Sequence, residues 1–362
     1  MRTAAVAFLL VAAGCHSVSN GPPIPAPTPT PPPLPSVPQP DGWEVLPGSP
    51  SSPANSRHED VVFIDESNGW LINGRGQVWG TQDGGNGWQQ LAQLPGDVVG
   101  RCIGFASLQK GWAGNLNFTN PESVRLNYAL WETLDGGRTW SNVSSRIAGA
   151  PVAGLCGMQV LSRDVVVAVG RWSGPPVFVK STDGGASWTS RSLAPLTSGL
   201  VDVFFFNELD GFAVGGLGDG PSETEQRNSR TAILATADGG ATWQTRYTST
   251  AIGQRGWKIQ FAGDRVGYVT TEGSAAEGVV VKTTDGGSTW RAVPVSAHRS
   301  FEGVGFVEPD RGWVASGDSL FSTADGGATW RPLAFGVFIN RVRVVNDSLA
   351  YACGDRVYRW RR

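Results

Sequence analysis

Methionine, histidine and cysteine are all scarce, at two, three and four residues in a chain of 362. The histidines stand alone at 16, 58 and 298, and neither they nor the cysteines show metal-ligand spacing, which removes a structural or catalytic zinc site. The same scarcity bears on GDSL (317–320), which copies a hydrolase motif around Ser319. Serine catalysis needs a base, and no histidine follows that serine. A basic surplus is also missing. The formal charge is -2, whereas a general nucleic-acid binder must neutralise phosphates. Long apolar runs are absent too, since AAVAFLLVAA (4–13) is too short to span a bilayer.

Glycine and tryptophan, by contrast, are abundant at 49 and 15 residues. Glycine serves tight turns and tryptophan fits pleated strands, so many short strands are expected and the fold class is all-β. TADGGATW occurs at 236–243 and again at 323–330, and looser copies stand at 81–88, 133–140, 181–188 and 283–290. Their aspartates are Asp83, Asp135, Asp183, Asp238, Asp285 and Asp325, with spacings of 52, 48, 55, 47 and 40. Such a period implies stacked supersecondary units, and four short strands per unit make a propeller blade. A second motif, an apolar strand, a polar turn and then Gly-aromatic, precedes most boxes, as in SNGWLIN (67–73), QKGWAGN (109–115) and DRGWVAS (310–316). RDVVVAVG (163–170) and SLAYACG (348–354) hold the same place without the Gly-aromatic pair, which brings the count to seven units. DGWEVLP (41–47) reads as a worn box whose strand completes the last blade and leaves no free sheet edge.

Arg2, the apolar run and Ala12-Ala13-Gly14-Cys15 resemble a bacterial lipoprotein signal, with Cys15 as the lipidated first residue of the mature chain. GPPIPAPTPTPPPLPSVPQP (21–40) is expected to stay extended, a spacer of roughly 60 Å at about 3.1 Å per residue. The organisation expected is a signal at 1–14, a lipidated cysteine and linker at 15–40, and one seven-bladed β-propeller at 41–362. The protein would be exported and anchored to a bacterial membrane.

The boxes resemble the Asp-box, or BNR, repeats of sialidases and sortilin-like propellers. With a Gly-aromatic strand, often GW, ahead of most DGG boxes, the pattern is similar to the photosystem II assembly and stability factor family. That resemblance covers 41–362 and implies structural boxes between third and fourth strands. It also implies a non-catalytic scaffold that holds a protein partner during assembly of a membrane complex. The chemistry of the box agrees. Its aspartate can accept N–H groups of its own turn, its glycines permit positive φ, and its tryptophan is expected to pack under the next blade. One carboxylate per turn cannot fill a calcium shell. No cofactor is expected, and a monomer is.

Four antiparallel strands per blade place the boxes on one face and the links into the inner strands on the other. The second face also receives the long segments 115–127, 215–230 and 270–278, which read as binding loops. Arg57, Arg101, Arg255, Arg299 and Arg341 precede inner strands there, and Arg171 with Trp172 occupies a turn of the third unit. Most tryptophans are interblade core, but Trp172 and Trp257 fall outside that pattern and are candidates for stacking on a ligand. An arginine-rich channel mouth suits an acidic peptide. The contrasting expectation is that these arginines point outward or pair with Glu59 and Glu302. Cys102 and Cys156 align at the starts of neighbouring inner strands, either as a disulfide or as two buried thiols, with Cys353 free. The rival function is a carbohydrate-active enzyme, sialidase-like, or a sugar-binding module. The sialidases' N-terminal arginine-isoleucine-proline signature is absent, and their catalytic tyrosine and glutamate cannot be placed.

Overall fold

The computed structural model describes residues 40–362 apart from 96–97, 117–127, 219, 221, 275–276, 298 and 336. The expected export signal, Cys15, the expected proline spacer up to 39, most of the 115–127 loop and His298 lie outside the described residues. The chain forms seven β-sheets arranged as the blades of a propeller. The inner strands are His58–Phe63, Val99–Phe105, Gly157–Val160, Gly199–Phe205, Gln254–Ala262, Val304–Phe306 and Ile339–Asn346, for blades 1 to 7 in that order. Each inner strand packs on the next, and the last packs on the first.

Blade 7 takes its outer strand from the N-terminus, with Trp43 opposite Trp360 and Val45 opposite Tyr358 in antiparallel register. The ring is therefore closed by pairing residues from the two ends of the propeller. Blade 3 carries a fifth strand, Ile147–Gly149, which runs parallel to its own outer strand. The apolar cores are wedges between blades. Ile72, Phe105 and Trp131 share the wedge between blades 1 and 2, while Phe178, Phe205 and Trp243 share the one between 3 and 4. The box tryptophans look back to the preceding blade, not under the next one as expected. Trp188 meets Trp112 with ring centroids 6.0 Å apart, and Trp290 meets Phe212 at 5.8 Å. Each box returns the chain to an outer strand, and that strand presents its tryptophan to the wedge shared with the previous blade.

The boxes are hydrogen-bonded turns. In blade 5 the Thr283 hydroxyl donates to Asp285 Oδ1 at 2.8 Å and accepts from the Gly287 N–H at 2.9 Å. Asp285 Oδ1 also accepts the Thr289 N–H at 2.9 Å, and Oδ2 accepts the Thr289 hydroxyl at 2.6 Å. Both glycines have positive φ, 72° and 85°, which a side chain at either would strain. The Thr289 hydroxyl is the first of the donors that hold the Asp285 carboxyl down at about 2. The turn carbonyls then serve as receivers between blades. Trp70 donates to Gly136 O, Lys180 to Gly239 O, Lys282 to Gly326 O and Tyr351 to Gly84 O, each from one blade to the next. Asp285→Ala should therefore lower the melting temperature while leaving ligand capture on the far face unchanged, read by calorimetry beside a binding titration. Lost capture with unchanged melting would overturn that assignment.

Two expected loops prove to be partly regular. Residues 215–230 hold the end of Gly211–Leu217, a six-residue helix Glu223–Asn228 and the start of Arg230–Thr236. Ser222 caps that helix by accepting from the Glu225 N–H, and the Glu225 carboxylate answers at the Ser222 N–H, so the turn contains its own start signal. Residues 270–278 are mostly extensions of Val266–Gly273 and Glu277–Thr283.

Candidate functional site: a charged channel mouth

The inner strands carry β-bulges near their starts. The register shifts between His58 and Asp60, Gly100 and Cys102, Leu200 and Asp202, Gly256 and Ile259, and Ile339 and Arg341. A bulge sets two residues against one and re-aims side chains that strict alternation would send to opposite sides. Glu59, Arg101, Trp257 and Asn340 are bulge residues of this kind, and each joins the central cluster. Arg101, Arg255 and Arg341 consequently lie within the inner strands, which begin one or two residues earlier than the sequence implies. Only Arg57 and Arg299 precede theirs.

Four of the five arginines converge. Arg57 Nε donates to Glu59 at 2.9 Å and its Nη1 reaches Glu302 at 2.9 Å, so the pairing with Glu59 and Glu302 holds for this residue. Arg101 binds Glu59 from blade 2, and its guanidinium lies 5.0 Å over the Trp257 ring of blade 5. Arg255 pairs with Glu272 at 3.1 Å and lies 4.9 Å over Trp172. Arg341 spans the axis, with Nε 3.1 Å from Asp60 in blade 1 and Nη1 3.2 Å from Asp202 in blade 4. The fifth, Arg299, is 41% exposed and stays at the rim beside Asp318 at 3.8 Å. Arg171 donates to the carbonyl of Gly174 at 2.6 Å within its own half-buried turn. Trp172 and Trp257 pack with Leu116, Cys156 and Val201 as an apolar patch under the mouth.

Four charged residues of the inner strands that sequence reasoning passed over, Asp60, Asp202, Lys258 and Arg343, join the cluster, as does Glu272 from a second strand. Arg343 clasps Asp60 with Nε at 3.0 Å and Nη2 at 2.8 Å, and Lys258 Nζ is 3.8 Å from Asp202. Their signal was a charge inside an otherwise apolar inner strand, as in HEDVVF, GLVDVFF, RGWKIQFA and INRVRVVN. Burial pushes the Asp60 carboxyl up, but Arg341 and Arg343 outweigh it and hold it at about 2. Burial, with Arg341 beside it, brings Lys258 down to about 8 against the pull of Asp202. Burial raises Glu302 despite Arg57 and Arg101. The cluster sets Arg57, Arg101, Arg171, Arg255, Lys258, Arg341 and Arg343 against Glu59, Asp60, Asp202, Glu272 and Glu302, a surplus of two cations. Arg101 Nε is buried and has no hydrogen-bond partner among the described residues. An open cleft of about 540 Å³ lined by Arg57, Arg75, Glu59, Asp355, Val99 and Phe338 gives onto this mouth, with two cations and two carboxylates in its wall.

Cys102, Cys156 and Cys353 are all buried and free, so the two aligned cysteines are separate thiols, not a disulfide. Among the described residues no group of three His, Cys, Asp or Glu side chains could hold a metal ion. Ser319 is buried at the start of the third strand of blade 6, Ser319–Thr323, and its hydroxyl donates to Asp318 at 3.0 Å.

No family model matches the chain, and no curated protein does. Solved structures do. The chain is similar to YCF48 bound to D1 peptide, with a TM-score of 0.63 and 17% identity over 89% of this chain and 97% of that one. It is similar also to YCF48 from Cyanidioschyzon merolae, with a TM-score of 0.62 and 19% identity over 89% and 98%. A streptogramin B lyase gives 0.61 and 10% over 88% and 96%. At such identities the likeness is one of fold. Because one of these propellers is named a lyase, the fold alone does not separate binding from catalysis.

Proposed function

We propose that this chain is a non-catalytic propeller, exported and tethered to a bacterial membrane through Cys15 and the proline spacer, that holds a protein partner. An acidic segment of the partner docks at the charged mouth. The observation that carries the reading is the pairing of Arg101 with Trp257 and of Arg255 with Trp172, within a cluster that has two more cations than carboxylates in a chain of net charge -2. Guanidinium groups offer paired donors to carboxylates, and the tryptophans beside them supply an apolar anchor. A neighbour of the same fold binds a peptide, which supports a peptide as the ligand class. The buried carboxylates belong to ion pairs that fix the arginines, which agrees with recognition better than with hydrolysis.

The test uses residues at the accessible edge of the cluster. Charge reversal of Arg101, Arg255 or Arg341 would place a new carboxylate in a buried ion-pair network and so would test folding. Arg171→Glu combined with Trp172→Ala should instead leave the fold intact by circular dichroism. It should weaken capture of a fluorescein-labelled oligoglutamate peptide by tenfold or more and flatten the salt dependence of binding. Unchanged capture would place the working surface elsewhere. Turnover of any member of a panel of fluorogenic glycosides would favour the enzyme reading.

A further inference from the structure

The box of blade 1 differs from the other five in one atom that matters. In those five, a threonine or serine four residues after the aspartate donates its hydroxyl to Asp Oδ2. Thr139, Ser187, Thr242, Thr289 and Thr329 do so at 2.5 to 2.6 Å. Blade 1 reads TQDGGNGW and has Gly87 at that position. Asp83 Oδ1 is engaged as elsewhere, by the Thr81 hydroxyl at 2.8 Å and the Gly87 N–H at 2.9 Å, but among the described residues none donates a hydrogen bond to Oδ2. A Cβ placed on Gly87 would lie 3.1 Å from that oxygen and meet nothing else closely, so the approach to Oδ2 is open.

That approach is a groove. Asp83 and Gly87 line a cavity of about 360 Å³ between blades 1 and 2 on the box face, a size suited to a small ligand. Arg138 brings a guanidinium and Gln82 and Gln89 bring amides, while Leu91 and the 47% exposed Leu108 form an apolar wall. The one carboxylate and the one guanidinium balance, which disfavours an ion and favours a neutral ligand rich in hydroxyls. We propose that this groove binds a neutral saccharide, one hydroxyl of which donates to Asp83 Oδ2 where the other boxes use their own threonine or serine. The apolar wall receives the C–H face of the sugar ring, and the amides and Arg138 meet the remaining oxygens. The site lies on the face opposite the charged mouth and is independent of it.

The experiment titrates the full-length protein with glucose, galactose, mannose, N-acetylglucosamine, maltose and cellobiose, following the tryptophan indole N–H signals by NMR. At least one sugar should saturate, and disaccharides binding tighter than their monomers would point to a glycan chain over a free sugar. Gly87→Thr supplies the missing hydroxyl, so it should raise the melting temperature and weaken the sugar by tenfold or more. Gln89→Ala, on an exposed outer strand, should weaken binding with melting unchanged. The Arg171→Glu, Trp172→Ala variant should bind sugar as the parent does. No saturation by any of the six, or binding indifferent to Gly87→Thr, would overturn the proposal.

Discussion

Removal of residues 41–47 should cost this propeller most of its stability. The segment contributes the outer strand of blade 7, in which Trp43 is 2% exposed and Leu46 fully buried. Trp43 sits edge-on to Trp313 of blade 6 at 5.2 Å and to Phe335 at 6.1 Å, while Leu46 joins the wedge between blades 7 and 1. The segment therefore fills both wedges that flank the last blade. Truncating a buried tryptophan costs about 3–5 kcal/mol and a buried leucine about 2–5 kcal/mol, against a native margin of about 5–15 kcal/mol. The deletion also opens the edge of Val357–Arg361 to other strands, so aggregation should accompany the loss. Denaturant melts of the shortened chain beside Trp43→Ala would show it. The single substitution should take roughly half the effect, and melting of the deletion like the parent would refute the closure.

The architecture was legible because repetition states it. Six DGG boxes at a spacing near fifty, and a seventh pattern split between the ends, define the seven blades and their closure before any contact is known. The direction in which the box tryptophans pack was not legible, since strand order alone does not say which neighbour an outer strand faces. At the mouth, Arg57, Arg101, Arg255 and Arg341 were visible as a recurrence at strand starts, and Trp172 and Trp257 as tryptophans outside the core pattern. Their partners were hidden by the bulges. Strict alternation sends Glu59 and Asp60 to opposite sides of a strand, whereas the shift at that point brings both into the central ion network. The distinct box of blade 1 was present in the sequence as Gly87, but its meaning needed the hydroxyl geometry of the other five.

Asp60→Ala should be the most damaging single substitution at the channel, and its effect should depend on pH in a way that identifies the cause. Asp60 is 1% exposed and is the shared partner of Arg341 and Arg343, so the variant leaves two guanidiniums largely buried with a lost counter-charge. Breaking a buried pair on one side costs about 3–5 kcal/mol. The folded carboxyl titrates at about 2 and the unfolded one at 3.8, so the unfolded chain takes up the proton first. Stability from this group is therefore full above 3.8 and lost as pH falls toward 2. His58 has the same sign for a different reason, because burial holds its imidazole down at about 4 against 6.5 when unfolded. Its contribution, about 3 kcal/mol by linkage, is full above 6.5 and drains between 6.5 and 4. Acid should thus weaken the parent in two windows, the upper from His58 and the lower from Asp60 together with the box aspartates Asp183, Asp238, Asp285 and Asp325, whose carboxyls are also held down at about 2. Urea melts between pH 7 and 2 should show Asp60→Ala less stable at neutral pH, with an unchanged upper window and a shallower lower one. His58→Gln should flatten the upper window alone. A parent whose stability is level from pH 7 to 4 would exclude the His58 assignment, and an Asp60→Ala chain that melts with the parent at pH 7 would exclude the ion network as a support of the ring.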